Sequence, residues 1–256
     1  MPLKTKLIIL LSAMSTAVFP QDQTEFPSTN EQASFQVESF ASTLNNRLEN
    51  EIVTTLNMLF RYGLSSKVEL QLTNQYEQLS FEEREALNVN QLTLGAKFQL
   101  YQDKKSLFTA SVLPSVNFPV NQLADEAFKM QYGLAALASY QLSGNAIIGV
   151  NLAYTTTFNN EEEWSYTLAS NLGLTNKLST YLEVFQTINV GELLNADIGL
   201  SYAFSEGLQL DVSYGNSITL DNEYYLLRCA WTLPEKRKTQ LTAVNSKRRT
   251  VSENGS

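Results

Sequence analysis

The chain has 256 residues, a formal net charge of −8, and 43% hydrophobic and 11% aromatic residues, a composition too apolar for a disordered protein. It has no histidine and a single cysteine, Cys229, which excludes Ser-His-Asp and Cys-His catalysis, an internal disulfide and a thiolate metal cluster. The longest unbroken apolar run covers only residues 7–11, far short of the roughly 20 residues a transmembrane helix needs, so any passage through a membrane requires a β-barrel.

Residues 1–21 read as an export signal. Lys4 and Lys6 form a positive region, residues 7–11 an apolar one, and Ala13, Ser15, Thr16 and Ala17 supply the small residues that follow. The segment is expected to be removed, leaving residues 22–33 as a periplasmic N-terminal segment ahead of the first strand.

From residue 34 to 233 the dominant pattern has period two, the mark of strands with one apolar and one polar face. Val68-Glu69-Leu70-Gln71-Leu72 is the clearest case. Leu92, Leu94, Ala96, Phe98 and Leu100 likewise oppose Gln91, Thr93, Gly95, Lys97 and Gln99. The pattern predicts about twelve strands, near 34–44, 51–62, 67–76, 91–101, 106–116, 128–141, 147–158, 164–174, 180–187, 196–204, 208–216 and 223–233. Most are as long as a tilted membrane-spanning strand requires.

Links between strands alternate in length. Short ones fall at 64–66, 102–105, 143–145, 176–179 and 205–207, in turn-forming residues. Long ones surround 45–50, 77–90, 119–127, 159–163, 188–195 and 216–222, and residues 81–87 read as one helical turn inside the second of them. Alternating apolar faces alone fit a soluble sandwich as well as a barrel. The alternation of links favours an up-and-down outer-membrane barrel with short periplasmic turns and longer outer loops. Tyrosine, phenylalanine and tryptophan near strand ends, among them Tyr62, Tyr101, Trp164, Tyr202, Tyr224, Tyr225 and Trp231, are placed as aromatic girdles are.

Past the last strand, residues 234–256 carry Lys236, Arg237, Lys238, Lys247, Arg248 and Arg249 and read as a basic flexible periplasmic tail. Between signal and tail, ten basic residues face twenty-four acidic ones, a balance that repels nucleic acid.

The stretch Arg61-Tyr62-Gly63-Leu64-Ser65-Ser66-Lys67-Val68-Glu69-Leu70 resembles a hairpin of the MetA-pathway of phenol degradation family of outer-membrane proteins. Leu113-Pro114, Tyr181-Leu182-Glu183, Asp197-Ile198-Gly199-Leu200-Ser201-Tyr202 and Leu208-Gln209-Leu210-Asp211-Val212-Ser213 are similar to it too. The resemblance covers roughly 30–233. It implies an outer-membrane β-barrel with a transport role for small, apolar or aromatic solutes. Two features depart from it: Ser115-Val116-Asn117 follows Leu113-Pro114 where relatives carry Thr-Gly, and the basic tail continues beyond the last aromatic strand.

With the apolar faces toward lipid, the lumen receives Arg61, Lys67, Glu69, Lys97, Lys129, Glu183, Asp197, Asp211 and Arg228. This mixed-sign set can either rigidify a narrow interior or contact a solute. The first use describes a structural or surface-binding barrel with a plugged lumen, the second a passive channel. Catalytic residues, cofactors and a metal site are not expected, since no phosphate loop, dinucleotide fingerprint or nucleophile elbow occurs. Expected partners are outer-membrane lipid and a small-molecule solute. Acidic long links (Glu82, Glu83, Glu85, Glu126, Glu161, Glu162, Glu163) also suit divalent cations bridging them to anionic surface glycolipid.

Overall fold

A computed structural model describes residues 24–46, 51–81, 84–103, 105, 107–120, 130–156, 162–188, 193–218 and 222–233. The signal (1–21), the basic tail (234–256), Lys129 and the loop acids Glu82, Glu83, Glu126 and Glu161 lie outside these residues.

Among the described residues the elements are twelve antiparallel strands: β1 (Phe35–Asn46), β2 (Glu51–Ser65), β3 (Val68–Phe81), β4 (Arg84–Gln102), β5 (Phe108–Pro119), β6 (Gln131–Ser143), β7 (Ala146–Thr156), β8 (Glu162–Gly173), β9 (Leu178–Ile188), β10 (Leu193–Ser205), β11 (Leu208–Ser217) and β12 (Asn222–Leu233). Each pairs with its sequence neighbours, and β1 closes on β12 through Phe35↔Leu233 to Asn46↔Asn222. Closure leaves no edge strand, the condition for crossing lipid without unsatisfied backbone groups. The turns at Ser66-Lys67, Gly144-Asn145 and Glu206-Gly207 hold two residues each, and a register shift precedes each one, so the sharp reversal is absorbed by a bulge.

The wall is apolar outside and polar inside. Leu94 and Leu200 are each 48% exposed and Ile198 58%, whereas their strand neighbours Lys97 and Ser201 are 2% and 5% exposed. Such an inverted surface suits lipid, not water. Aromatic pairs stand at both rims of this outer face. Tyr202–Phe204 (4.9 Å) and Tyr101–Phe108 (6.0 Å) lie at the short-turn end, and Tyr154–Trp164 (5.1 Å) and Tyr214–Tyr225 (5.2 Å) toward the other. Tyr224 does not belong to a girdle: adjacent residues in a strand point to opposite faces, so with Tyr225 outside it points inward, where it is 2% exposed.

The expected loop at 77–90 is mostly strand. Glu77↔Val89, Gln78↔Asn88, Leu79↔Leu87 and Phe81↔Arg84 are paired, so Phe81 and residues 84–87 are strand and not the expected helical turn. Its acids read as loop because they do not suit lipid, yet β4 has 19 residues. At about 3.3 Å per residue that is some 60 Å of strand, much longer than the apolar band of about 25 Å, and the hairpin extends into water.

Candidate functional site

Residues 24–34 do not stay outside the barrel. They form a strap across its interior at the short-turn end. Thr24 and Phe26 reach Gly149 on β7, where a Cβ would stand 3.3 Å from both side chains. Ser111 on β5 donates its hydroxyl to the carbonyl of Pro27. The Asn30 amide donates to Glu69 Oε2 on β3 (2.7 Å), and Thr29 Oγ1 to the carbonyl of Ser66 (3.1 Å). The strap thus runs from β7 back to β1, which it joins through a turn at Ala33, whose φ is +60°. There the Ala33 amide donates to the Gly63 carbonyl (2.7 Å), and the Gly63 amide to Ser34 (3.1 Å). Gly63 has to be glycine, because a Cβ would lie 2.1 Å from the carbonyl oxygen of Glu31.

The strap carries Glu25 into a chain of ion pairs running around the wall. Arg61 grips the Glu25 carboxylate with both terminal nitrogens, Nη1 toward Oε1 and Nη2 toward Oε2 (2.7 Å), while its Nε donates to Glu38 (2.6 Å). Lys97 Nζ donates to Glu25 Oε1 (2.5 Å) and to the Phe26 carbonyl (3.1 Å) and pairs with Glu69 Oε1 at 3.2 Å. Gln71 Nε2 donates to Glu25 (3.2 Å) and to Glu69 (2.9 Å). On the other side Glu38 accepts from Arg228 Nη1 (3.2 Å), and Arg228 Nε meets Asp211 Oδ2 at 2.5 Å. Burial by itself would raise the Glu25 pKa, but the charges of Arg61 and Lys97 outweigh it and hold the carboxyl well below the usual range, so it is ionised at neutral pH.

Five residues expected in the lumen are therefore joined in one network: Arg61, Glu69, Lys97, Asp211 and Arg228. Glu69↔Lys97 and Asp211↔Arg228 are direct cross-strand partners. Glu183 and Asp197 also point inward and are buried, paired in register with each other, with Asp197 accepting from the Tyr224 hydroxyl (3.4 Å). Lys67 is different. It sits exposed in the two-residue turn between β2 and β3, where the alternation of faces has ended.

Two members of the network, Glu25 and Glu38, escape the sequence reading. Glu25 lies in a segment with no period. Glu38 lies on a strand whose faces are mixed, because the inward row of β1 includes Phe40, 5% exposed. Its one signal is a carboxylate two residues from an aromatic on a strand whose other neighbours are small or polar.

An aromatic cluster faces the lumen from β9 to β12. Tyr181 lies over Gly199 and Tyr224 over Gly215, each ring covering the glycine opposite it; a Cβ at either glycine would stand 2.1 Å from the ring. Phe185 packs on Tyr224 at 6.3 Å.

A family model described as "Putative MetA-pathway of phenol degradation" matches residues 21–228. The chain belongs to this family. The match includes the strap as well as the barrel, and the Arg61-Tyr62-Gly63-Leu64 hairpin is where the strap docks. Arg61 holds Glu25, and Gly63 leaves room for the strap's backbone. No curated protein matches the sequence. Among solved structures the barrel is similar to the KdgM porin (11% identity, TM-score 0.59, over 78% of this chain and 99% of that one). It is also similar to the NanC porin (9%, 0.55, 77% and 100%). A third likeness is to the translocator domain of the autotransporter NalP from Neisseria meningitidis (12%, 0.52, 90% and 95%). At these identities the likeness is one of fold.

Proposed function

We propose that the protein is a bacterial outer-membrane channel that passes small solutes passively, with its short turns in the periplasm and its N-terminal strap closing that end. The observation that carries this reading is that the wall is complete without the strap. All twelve strands pair with one another, and within the network the three wall cations Arg61, Lys97 and Arg228 meet three wall carboxylates, Glu38, Glu69 and Asp211. Withdrawing the strap strands no charge there, which a permanently plugged structural barrel has no need to arrange. The apolar exterior and the fold shared with two porins support the location. A lumen combining Ser, Thr, Asn and Gln with Tyr181, Phe185 and Tyr224 suits a small amphipathic or aromatic solute. No catalytic role is proposed.

Liposome swelling tests the reading. Vesicles holding the purified protein are expected to swell in small neutral solutes faster than empty ones, and those holding Glu25→Gln several-fold faster still, because the strap loses its ionic anchor. Swelling at the empty-vesicle rate for both proteins, when both are folded, would leave the plugged structural barrel as the better reading.

A further inference from the structure

We propose that Arg61, Lys97 and Gln71 form a carboxylate-binding site in the lumen wall, filled in the closed state by the chain's own Glu25 and taken by a small-molecule carboxylate when the strap leaves. The proposal rests on the channel reading for the solute's route, but the site itself stands on geometry. Three wall side chains from β2, β3 and β4 converge on one carboxylate. Arg61 offers it a two-pronged fork, Lys97 an ammonium and Gln71 an amide proton. A planar bidentate guanidinium is the arrangement that selects carboxylate over spherical anions.

The division of labour within Arg61 matters. Its Nε is committed to Glu38, Nη1 is shared between Glu25 and Glu69, and Nη2 faces the strap alone. When residues 24–34 withdraw, that terminal edge loses Glu25: Nη2 is left free and Nη1 keeps only Glu69. Lys97, 2% exposed, loses both of its hydrogen-bond acceptors in the same event, Glu25 and the Phe26 carbonyl, and keeps its ion pair with Glu69. Arg61 Nη2 and Lys97 Nζ then lose their strap acceptors at one point, while each side chain keeps a wall carboxylate. A solute carboxylate replaces Glu25 like for like, leaving the charge of the network unchanged. An uncharged solute of the same shape gains nothing there. Binding and strap release are thus two sides of one exchange: the solute competes with an intramolecular carboxylate, and its apparent affinity falls by the fraction of time the strap is out.

The exchange is measurable without conduction. A nitroxide on Ser28→Cys, on the exposed side of the strap, in a Cys229→Ser background, reports whether the strap is docked in nanodiscs. Sodium benzoate is expected to raise the mobile fraction at least threefold and saturably. Sodium chloride at equal ionic strength, and benzamide at equal concentration, should not. Glu25→Gln, which leaves the wall intact, should bring the benzoate midpoint down at least tenfold, and adding Lys97→Gln should abolish the response. Equal effects of benzoate and chloride, or a Glu25→Gln protein that binds benzoate no more tightly than benzamide by calorimetry, would overturn the proposal. Liposomes that fail to swell although benzoate frees the strap would sink the channel and leave the site. Swelling with a strap that ignores benzoate would do the reverse.

Discussion

Arginine at Leu200 is expected to destabilise the barrel by about 2–4 kcal/mol, and arginine at the next residue, Ser201, by much less. Leu200 points out of the wall at 48% exposure, while Ser201 points in at 5%. The two changes add the same charge one residue apart, so strand propensity and net charge cancel in the comparison and the solvent on each face remains. A guanidinium at Leu200 has hydrocarbon around it and can escape only by snorkelling toward a rim. At Ser201 it has the polar interior, with Asp211 across the strand pair. The pair Leu94 and Thr93 repeats the test on β4. Unfolding titrations in lipid vesicles give both numbers, and equal penalties would mean that the two faces are assigned the wrong way round.

The second large effect is expected at Arg61. Removing it as Arg61→Leu takes the cation away from Glu25, Glu38 and Glu69 at once, and Glu38 and Glu69 are 3% and 1% exposed. Breaking a buried ion pair by deleting one partner costs about 3–5 kcal/mol when the remaining charge has lost both water and its counter-ion; Glu38 keeps Arg228 and Glu69 keeps Lys97, so the low end, about 3 kcal/mol, is expected here. Glu25→Gln should cost far less. Arg61 then keeps Glu38 and Glu69, and the glutamine leaves for water with the strap. The contrast separates a network that holds the wall from an anchor that holds only the strap. It is read from vesicle unfolding for stability and from proteolysis of the strap for docking. If Arg61→Leu costs under about 1 kcal/mol, the interior at that level is well hydrated and the network contributes little.

Much of this architecture is legible in the sequence, and the reasons are local. Period two survives in most strands because lipid outside and polar groups inside impose opposite chemistry on neighbouring residues; Leu92 to Leu100 shows it without interruption. Once the faces are assigned, Arg61, Glu69, Lys97, Asp211 and Arg228 fall into the lumen by parity alone. What parity cannot supply is depth and distance around the wall, so the convergence of six strands' charges into one chain of ion pairs is a property of closure and register. The strap is illegible for a different reason. Its eleven residues make no ladder of their own, and Glu25 gains its meaning from Arg61 and Lys97, 36 and 72 residues away. Lys67 shows the limit of parity, which ends where the strand does. Glu77, 4% exposed on the inward row of β3, shows that an acidic residue can still belong to a strand.

The most direct test of a strap-closed channel is a reversible lock. Thr24 Cγ2 lies 3.3 Å from where a Cβ on Gly149 would stand, so Thr24→Cys with Gly149→Cys, in the Cys229→Ser background, can tie the strap to β7 as a disulfide. Planar-bilayer conductance is then recorded from one preparation, oxidised and again after reduction. The account predicts few or no openings while the disulfide is intact and discrete openings once it is cut. Equal conductance in the two states, or none in either, would contradict it.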